Sequence, residues 1–343
     1  MCRIFLKTFV QFFIFFFFIN CTNSNEKDYT SLFLDPNKNS RAYFSYPGRY
    51  SDSTKKEEVK KRIMEIIQST KNKLTIYAYS LNEPDVIQEI ANAKKRGVSL
   101  QITLDKEKDY SELQEKQIEY SLWQSSGLHH LKVIVSDDTL VFFGTGNFSK
   151  FGLTQDHNGY IEFILDEKSK FLSMLNDSYE GSVLLTNDMF FLTSPKDGRR
   201  IQSQIIREIK NAKQTIRYLI FDHFDPLISH ELKEASSRGV EVVGIYDNPT
   251  DEEGIFLKDS YYGLLSEVYR DGNEDVTETK EFPEGGLLHH KTMIIDNRKL
   301  LVGSYNYSSS ARDKNREIFM QTENNFLVEE FTKEFFRIKE KSY

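Results

Sequence analysis

The chain has 343 residues, of which 39% are hydrophobic and 28% charged, and its formal net charge is −7. This composition excludes a disordered chain and predicts one large folded domain or two of ordinary size. The acidic balance disfavours non-specific nucleic-acid binding, which depends on the neutralisation of phosphates by Lys and Arg. The sequence contains two cysteines, Cys2 and Cys21, so the body of the chain holds no disulfide and no cysteine-ligated metal.

Residues 1–20 have the features of a secretory signal peptide. A basic start precedes Phe9–Ile19, an almost unbroken apolar run that is too short to span a bilayer comfortably. Cys21 follows directly, as in bacterial lipoproteins, in which this cysteine carries the lipid; ordinary cleavage and an uncleaved anchor are the alternatives. We expect a protein of the cell envelope anchored by lipid at Cys21, or a secreted or periplasmic protein if cleavage is ordinary. Residues 21–41 are polar and predict a tether.

The chain then repeats a helix–strand–helix–strand pattern twice. In each copy a proline opens the second helix (Pro84 and Pro226) and a glycine follows its end (Gly97 and Gly239). Apolar, strand-like runs precede and follow this helix in both copies. The sequence therefore predicts an internal duplication of a βαβ unit.

We place the two halves at residues 42–187 and 188–343. Helical patterns around 168–180 and 326–341 close the halves. The second half is longer because of an acidic insertion at 248–286, which predicts a loop near the second motif described next.

Each half contains one copy of an unusual motif. Residues 130–147 read HLKVIVSDDTLVFFGTGN and residues 289–306 read HHKTMIIDNRKLLVGSYN. Both fit the pattern H-x-K-x4-D-x6-G-[ST]-x-N. Apolar runs on either side of Asp137 and of Asp296 predict a β-hairpin in each copy.

The hairpins gather groups that suit a phosphodiester. His and Lys two residues apart on a strand point to the same face, and the return strand ends beside them. The side chains gathered in the two copies are His130, Lys132, Thr145 and Asn147, and His289, Lys291, Ser304 and Asn306. Lys and Asn can bind phosphate oxygens, and His can attack phosphorus or transfer protons. Attack and protonation of the leaving group need two histidines, so we expect the halves to face each other.

With these residues the sequence resembles the phospholipase D superfamily, whose HKD motif has this pattern, and the members with two motifs in particular. The resemblance covers nearly the whole chain after the signal. It implies two pseudo-symmetric α/β/α sandwich halves with mixed sheets and an active site at their junction. It also implies a metal-independent, cofactor-free, two-step reaction through a covalent phosphohistidine.

The resemblance assigns roles to the motif residues. His130 and His289 are implied to be the nucleophile and the acid/base, with His130 as the nucleophile. The residues implied to bind phosphate are Lys132, Lys291, Asn147 and Asn306, assisted by Thr145 and Ser304. The residues implied to be structural are Asp137, Asp296, Gly144 and Gly303.

Members of this family place an acidic residue after each motif, where it orients the imidazole of the facing half. In the second half this residue is Glu317, in the sequence Asn-Arg-Glu. The first half departs from the pattern, because Asn158 stands where the acid is expected. Glu162 or Asp156 is a candidate replacement; without one, His289 is less well oriented and activity is low.

The remaining histidines have simpler interpretations. His129 and His290 neighbour the motif histidines and, by strand alternation, point to the opposite face, so we expect them to pack or to support the site. His157, His223 and His230 lack partner spacing, and we expect them to be surface or structural residues rather than metal ligands.

The expected function is hydrolysis of a phosphodiester, first of all in a phospholipid. Nucleic acid is the alternative substrate, because the segment GSYNYSSSARDKNREIF is similar to small nuclease-type members. Transfer to an alcohol, as in cardiolipin synthesis, is a third hypothesis, and a non-catalytic surface-binding lipoprotein is a hypothesis of another class. Two motifs in one chain remove the need for a dimer, so we expect a monomer.

Overall fold

A computed structural model describes residues 40–47, 55–165, 168–176, 181–185, 189–247, 267–272 and 286–343. The predicted signal peptide, Cys21, and most of the predicted tether and of the 248–286 insertion lie outside the described residues. Within the described ranges, no helix combines the length and the apolar character needed to cross a membrane.

Helices and strands alternate along the chain. The helices are α1 (Glu58–Ser69), α2 (Pro84–Lys95), α3 (Ser111–Glu115), α4 (Lys150–Thr154), α5 (Lys168–Leu175), α6 (Gly198–Asn211), α7 (Pro226–Ser237), α8 (Ser309–Asp313) and α9 (Asn325–Lys339). The strands of the first sheet are β1 (Ser40–Phe44), β2 (Lys73–Ala78), β3 (Ser99–Asp105), β4 (Ser121–Trp123), β5 (Lys132–Ser136), β6 (Leu140–Gly144) and β7 (Gly159–Ile164). The strands of the second sheet are β8 (Val183–Leu185), β9 (Met189–Ser194), β10 (Thr215–Ile220), β11 (Glu241–Tyr246), β12 (Glu267–Arg270), β13 (Lys291–Ile295), β14 (Lys299–Gly303) and β15 (Glu317–Thr322).

The two sheets share the same order of seven strands, and the second carries β8 as an additional edge strand, which shows the internal repeat directly. The first runs β1-β7-β6-β5-β2-β3-β4, and the second runs β8-β9-β15-β14-β13-β10-β11-β12. Both are mixed: β2–β3 and β10–β11 are parallel, whereas the motif hairpins β5–β6 and β13–β14 are antiparallel. The predicted fold class of two repeated α/β halves with mixed sheets is confirmed.

Local signals account for the crossover helices of the parallel pairs. Pro84 and Pro226 stand at the first helical positions, where a missing N–H is tolerated. Gly97 and Gly239 follow the ends with φ of +89° and +88°, a left-handed conformation that favours glycine. These two helices are confirmed as predicted.

The hairpin turns explain the motif aspartates. In the first turn Asp137 and Asp138 have φ of 51° and 55°, the geometry of a type I′ turn that suits the twist of a hairpin. The carboxylate of Asp137 accepts hydrogen bonds from the backbone N–H groups of residues 71–73. Asp296 accepts the equivalent bonds from residues 213–215. Each aspartate thus holds its turn against the start of the neighbouring strand, at the opposite end of the hairpin from the histidine.

The hydrophobic core has three parts. The central part lies between the sheets and joins Val133 and Phe143 of the first to Ile294 and Val302 of the second, together with Phe331 of α9. The other two parts lie on the outer faces, under α1 and α2 in the first half and under α6 and α7 in the second. The inner faces of the sheets therefore pack towards each other, which positions the motif hairpins opposite one another.

The sheets also show where each half starts. Strand β8 pairs with β9 of the second sheet, although it precedes residue 188. Strand β1 pairs with β7 from Ser40 onwards, two residues before the start of the predicted first half. The limits 42–187 and 188–343 for the two halves stay predictions.

Candidate active site

The motif histidines lie just before β5 and β13, at the carboxyl ends of the parallel strands, where ligand sites of open α/β sheets form. Their backbone is held by the opposite half. The N–H of His130 donates to the carbonyl of Arg316 at 2.9 Å, and that of His289 donates to the carbonyl of His157 at 3.0 Å. Each motif is therefore attached to the segment that follows the other motif.

The two imidazoles face each other across the junction. The ring centroids of His130 and His289 are 6.4 Å apart, and the two residues keep only 7% and 6% of their surface exposed. Aromatic rings pack against them on the outside: Tyr79 lies 5.3 Å from the His130 ring and Phe221 lies 5.0 Å from the His289 ring. The site is a narrow pair of imidazoles with little access to water.

Each motif lysine lies beside its own histidine. The Lys132 Nζ donates to the carbonyl of His130 at 2.7 Å, and the Lys291 Nζ donates to the carbonyl of His289 at 2.7 Å. The same ammonium groups lie over aromatic rings, Lys132 at 5.3 Å from Tyr79 and Lys291 at 5.0 Å from Phe221. Ring faces stabilise cations, most strongly where water is excluded.

Burial dominates the electrostatics of the lysines. It lowers the pKa of Lys132 well below its usual value, and Glu317 opposes the shift. It lowers the pKa of Lys291 to about 7, again against the carboxylate of Glu317 and a nearby Asp222. An anion placed between the two ammonium groups would stabilise both charges.

Tyr79 and Phe221 were not predicted from the sequence. Both follow the last residue of a strand, β2 or β10, and both occupy the same place in the repeat. When the two copies are aligned at Pro84 and Pro226, Tyr79 falls on Phe221. The sequence signal that could have found them was therefore an aromatic residue repeated at the end of a strand. Strand-like apolar runs contain many aromatics, and this pair did not stand out from the core.

Glu317 orients His130 from the other half of the molecule. Its Oε2 lies 2.7 Å from the His130 Nδ1 and accepts the hydroxyl hydrogen of Ser304 at 2.7 Å. Its Oε1 accepts from the Asn315 Nδ2 at 3.2 Å. The carboxylate is fully buried, so these bonds fix it and the imidazole that it contacts.

Asn158 occupies the equivalent position opposite His289. Its Oδ1 lies 3.2 Å from the His289 Nδ1 and accepts the hydroxyl hydrogen of Thr145 at 2.8 Å. Its Nδ2 donates to the carbonyl of Gly152 at 3.0 Å. An amide therefore stands where the other half has a carboxylate.

The two candidate replacements for that acid were wrong. Glu162 forms a buried two-bond ion pair with Arg62, at 2.6 and 2.9 Å. Asp156 accepts the backbone N–H of Leu287 at 3.0 Å, and burial raises its pKa to about 6. Neither carboxylate bonds to the His289 ring, because Asn158 already fills that place.

Thr145 and Ser304 bond to the orienting residues. Both are fully buried, and their hydroxyls donate to Asn158 and Glu317 rather than pointing to a free space. The same oxygens accept the backbone N–H groups of Gly159 and Ile318. Their place is behind the orienting residues Asn158 and Glu317, and their assistance in phosphate binding stays a prediction.

Asn147 and Asn306 follow the return strands at the same end of the hairpins as the histidines. Their side-chain oxygens are buried and, among the described residues, have no hydrogen-bond partner. Gly144 and Gly303 end the return strands, where a Cβ atom would overlap the carbonyls of the adjacent strand. The glycines therefore permit close pairing beside the site.

The other histidines lie outside the pair. His129 is buried between Tyr77 and Trp123, at centroid distances of 6.0 and 5.5 Å, and His290 is buried near Glu334. His157 and His223 are buried too, whereas His230 is exposed. In the described part of the chain no group of His, Cys, Asp or Glu side chains is arranged to hold a metal ion.

The comparisons with known proteins agree with this architecture. A family model described as "Cardiolipin synthase, PLD-like domain" matches residues 63–178 and 205–339. The human protein named mitochondrial cardiolipin hydrolase is 29% identical over 143 residues, 42% of this chain and 52% of that protein. The chain thus spans about half the length of that relative.

Two further matches cover a larger share of the protein compared. A protein named phospholipase D from Rickettsia prowazekii is 27% identical over 191 residues, 55% of this chain and 86% of that one. The crystal structure of phosphatidylserine synthase from Haemophilus influenzae is similar with a TM-score of 0.62 at 12% identity, covering 84% of this chain and 85% of that chain. This last likeness concerns the fold alone.

Proposed function

The chain belongs to the phospholipase D superfamily, since the family model matches most of both halves, and we propose that it hydrolyses a phosphodiester through a covalent phosphohistidine. The observation that carries the proposal is the facing pair of His130 and His289, with ring centroids 6.4 Å apart. Each imidazole has a buried lysine beside it. Such a pair can place a nucleophile and an acid on opposite sides of one phosphorus atom.

In the first step His130 is the nucleophile. Its Nε2 forms a bond to phosphorus while the bond from phosphorus to the leaving oxygen breaks, and His289 gives its proton to that oxygen. Lys132 and Lys291 stabilise the charge on the non-bridging oxygens as phosphorus becomes five-coordinate, assisted by Asn147 and Asn306. The leaving alcohol then departs and the phosphoryl group stays on His130.

In the second step water replaces the alcohol. His289, now neutral, takes a proton from water while the water oxygen bonds to phosphorus and the bond to His130 breaks. His289 ends the cycle protonated and His130 ends it with a free Nε2. Every proton and bond is accounted for by these two side chains, the substrate and water.

The proposed substrate is a phospholipid. The similarity to proteins named phospholipase D and cardiolipin hydrolase supports this choice. The net charge of −7 works against a polyanion such as nucleic acid, whose binding depends on many phosphate contacts.

We also propose that the protein is exported and attached to a membrane by lipid at Cys21. The basic and apolar sequence of residues 1–20, followed at once by this cysteine, supports the proposal. A membrane-anchored position would bring the active site near its lipid. Metabolic labelling with a radioactive fatty acid tests it, because a Cys21→Ser variant should lose the label.

The experiment for the activity compares substrates side by side. The full chain is assayed on phosphatidylcholine vesicles, on cardiolipin vesicles and on single-stranded DNA, with His130→Ala and His289→Ala as controls. We expect release of the lipid head group, unchanged by EDTA and lost in both variants by a factor of at least about 10³. Turnover of DNA alone would replace the lipid by nucleic acid, and full activity in both variants would place the chemistry elsewhere.

A further inference from the structure

The two halves of the site differ in charge at one pair of equivalent positions. Glu317 faces the Nδ1 of His130 at 2.7 Å, and Asn158 faces the Nδ1 of His289 at 3.2 Å. The surroundings otherwise repeat: each orienting side chain accepts one hydroxyl hydrogen, from Ser304 or Thr145. A single carboxylate therefore serves a site with two histidines.

The bonds of Asn158 fix the hydrogen on His289. The amide nitrogen is used by the carbonyl of Gly152 at 3.0 Å, so the oxygen is the atom that faces the imidazole. An amide oxygen only accepts hydrogen bonds, and its contact with the Nδ1 of His289 therefore needs a hydrogen on Nδ1. In the neutral ring the lone pair is then on Nε2, the atom turned away from Asn158.

The charges around the rings separate the two histidines further. Burial lowers the pKa of His289 well below its usual value, and Lys291, Lys132 and His130 add to the shift. Burial also lowers the pKa of His130, but Glu317 opposes it. The nearby Asp156 and Asp222 act on Lys291 and do not bond to the His289 ring.

We propose that Asn158 is the positioning residue of His289, and that its neutral amide makes His289 the proton donor while Glu317 makes His130 the nucleophile. The assignment rests on the proposed phosphodiesterase function. The imidazole beside a carboxylate is the stronger base of the pair, which favours attack on phosphorus. The imidazole beside an amide is the stronger acid, which favours transfer of its proton to the leaving oxygen.

The covalent intermediate gives the same assignment. A ring that carries a phosphoryl group on Nε2 and a hydrogen on Nδ1 is positively charged for the lifetime of the intermediate. Glu317 neutralises that charge on His130, whereas Asn158 could not do so on His289. His289 gives one proton to the leaving oxygen and later takes another from water, so this ring alternates between charged and neutral forms.

Exchanging the charge tests the proposal. Asn158→Asp keeps the shape and adds a carboxylate, Glu317→Gln removes the existing one, and Asn325→Asp makes the same change at an exposed position in the first turn of α9. The dependence of kcat/KM on pH is measured with the full chain on phosphatidylcholine vesicles, because an alkyl alcohol leaving group needs a proton donor whereas a nitrophenolate does not. In Asn158→Asp the pKa of His289 should rise by about one unit or more. This rise should increase kcat/KM at neutral and alkaline pH and leave the values at low pH unchanged, because His289 must be protonated to act.

The remaining variants define the alternatives. Glu317→Gln should lower kcat without increasing kcat/KM at alkaline pH, and Asn325→Asp should match the unaltered chain. A fall of kcat/KM at low pH in Asn158→Asp, with the alkaline values unchanged, would show that His289 acts as the neutral nucleophile, and the proposal would be overturned. A folded Asn158→Asp variant with an unshifted profile would overturn it as well.

A second measurement needs no turnover and is made on the unaltered chain, with one variant used for assignment. Nitrogen NMR of the full chain with labelled histidine, assigned with His289→Ala, reports the tautomer and the titration of each ring. We expect His289 to carry its hydrogen on Nδ1 and to titrate below His130; a hydrogen on Nε2, or the reverse order of titration, overturns the proposal. If the chain hydrolyses no diester, the proposed function fails, and the roles assigned to the two histidines fail with it. The NMR measurement still shows in that case whether His289 donates its Nδ1 hydrogen to Asn158.

Discussion

Removal of the buried charge at Glu162 should lower stability and leave the chemistry intact. The carboxylate is fully buried and bonds to Arg62 through both oxygens, at 2.6 and 2.9 Å. Breaking such a pair from one side leaves the other charge uncompensated, which costs about 3–5 kcal/mol. Gln keeps one hydrogen-bond acceptor in place, so Glu162→Gln should lower the free energy of unfolding by about 3 kcal/mol.

The same arginine provides a matched control. Its Nη1 also contacts Glu65 at 3.0 Å, but that side chain is 43% exposed. Because water screens an exposed pair, Glu65→Gln should cost less than about 1 kcal/mol. The two substitutions make the same chemical change to two partners of Arg62 and differ in burial.

Urea unfolding followed by far-UV circular dichroism and by the fluorescence of the single tryptophan, Trp123, measures both variants. Turnover of phosphatidylcholine vesicles is measured below the unfolding transition. Glu162→Gln should be less stable than Glu65→Gln and equally active. A Glu162→Gln variant of normal stability that had lost its turnover would refute this reasoning and return Glu162 to the active site.

Three further outcomes follow from the site and its supports. Asp296→Ala, which leaves three backbone N–H groups without their acceptor, should cost about 1–3 kcal/mol in urea unfolding at unchanged kcat; a loss of kcat in the folded variant would contradict a purely structural role. Sulfate binding near pH 7–8 should take up protons, because the pKa of Lys291 is lowered to about 7 in the free site and an anion raises it. Isothermal titration calorimetry in buffers of different ionisation enthalpy measures this uptake, which Lys291→Met should reduce. Tyr79→Phe should keep turnover, whereas Tyr79→Ala should lower it about tenfold or more by removing the ring under Lys132; equal turnover in both would leave the ring without a role.

Short-range patterns predicted the repeat and the reacting groups. The spacing of His130 and Lys132 on a strand, and the proline and glycine at the ends of α2 and α7, depend on neighbours within a few residues. The structure has the hairpins and these helices where the sequence indicated them. The family resemblance added the pairing of Glu317 with the facing half, which no local pattern contains.

Contacts between segments that are far apart in the sequence could not be predicted from it. Glu162 lies in β7 four residues beyond Asn158, a distance of about 13 Å along a strand, so it could not reach the ring beside Asn158. The docking of the two halves decides whether Glu162 or Asn158 lies opposite the His289 ring. The burial of His157 and His223 was not predicted either, since a lone histidine carries no periodic signal.

The attachment of each motif to the opposite half has a consequence for how such a site evolves. In a symmetric pair of identical chains, every substitution appears on both sides, so Glu317 and Asn158 would have to be the same residue. Joining the copies in one chain removes that constraint, while the bonds from His130 to Arg316 and from His289 to His157 keep the halves in register. The copies are then free to specialise, and in the proposed assignment a one-residue difference between them gives the two histidines separate tasks.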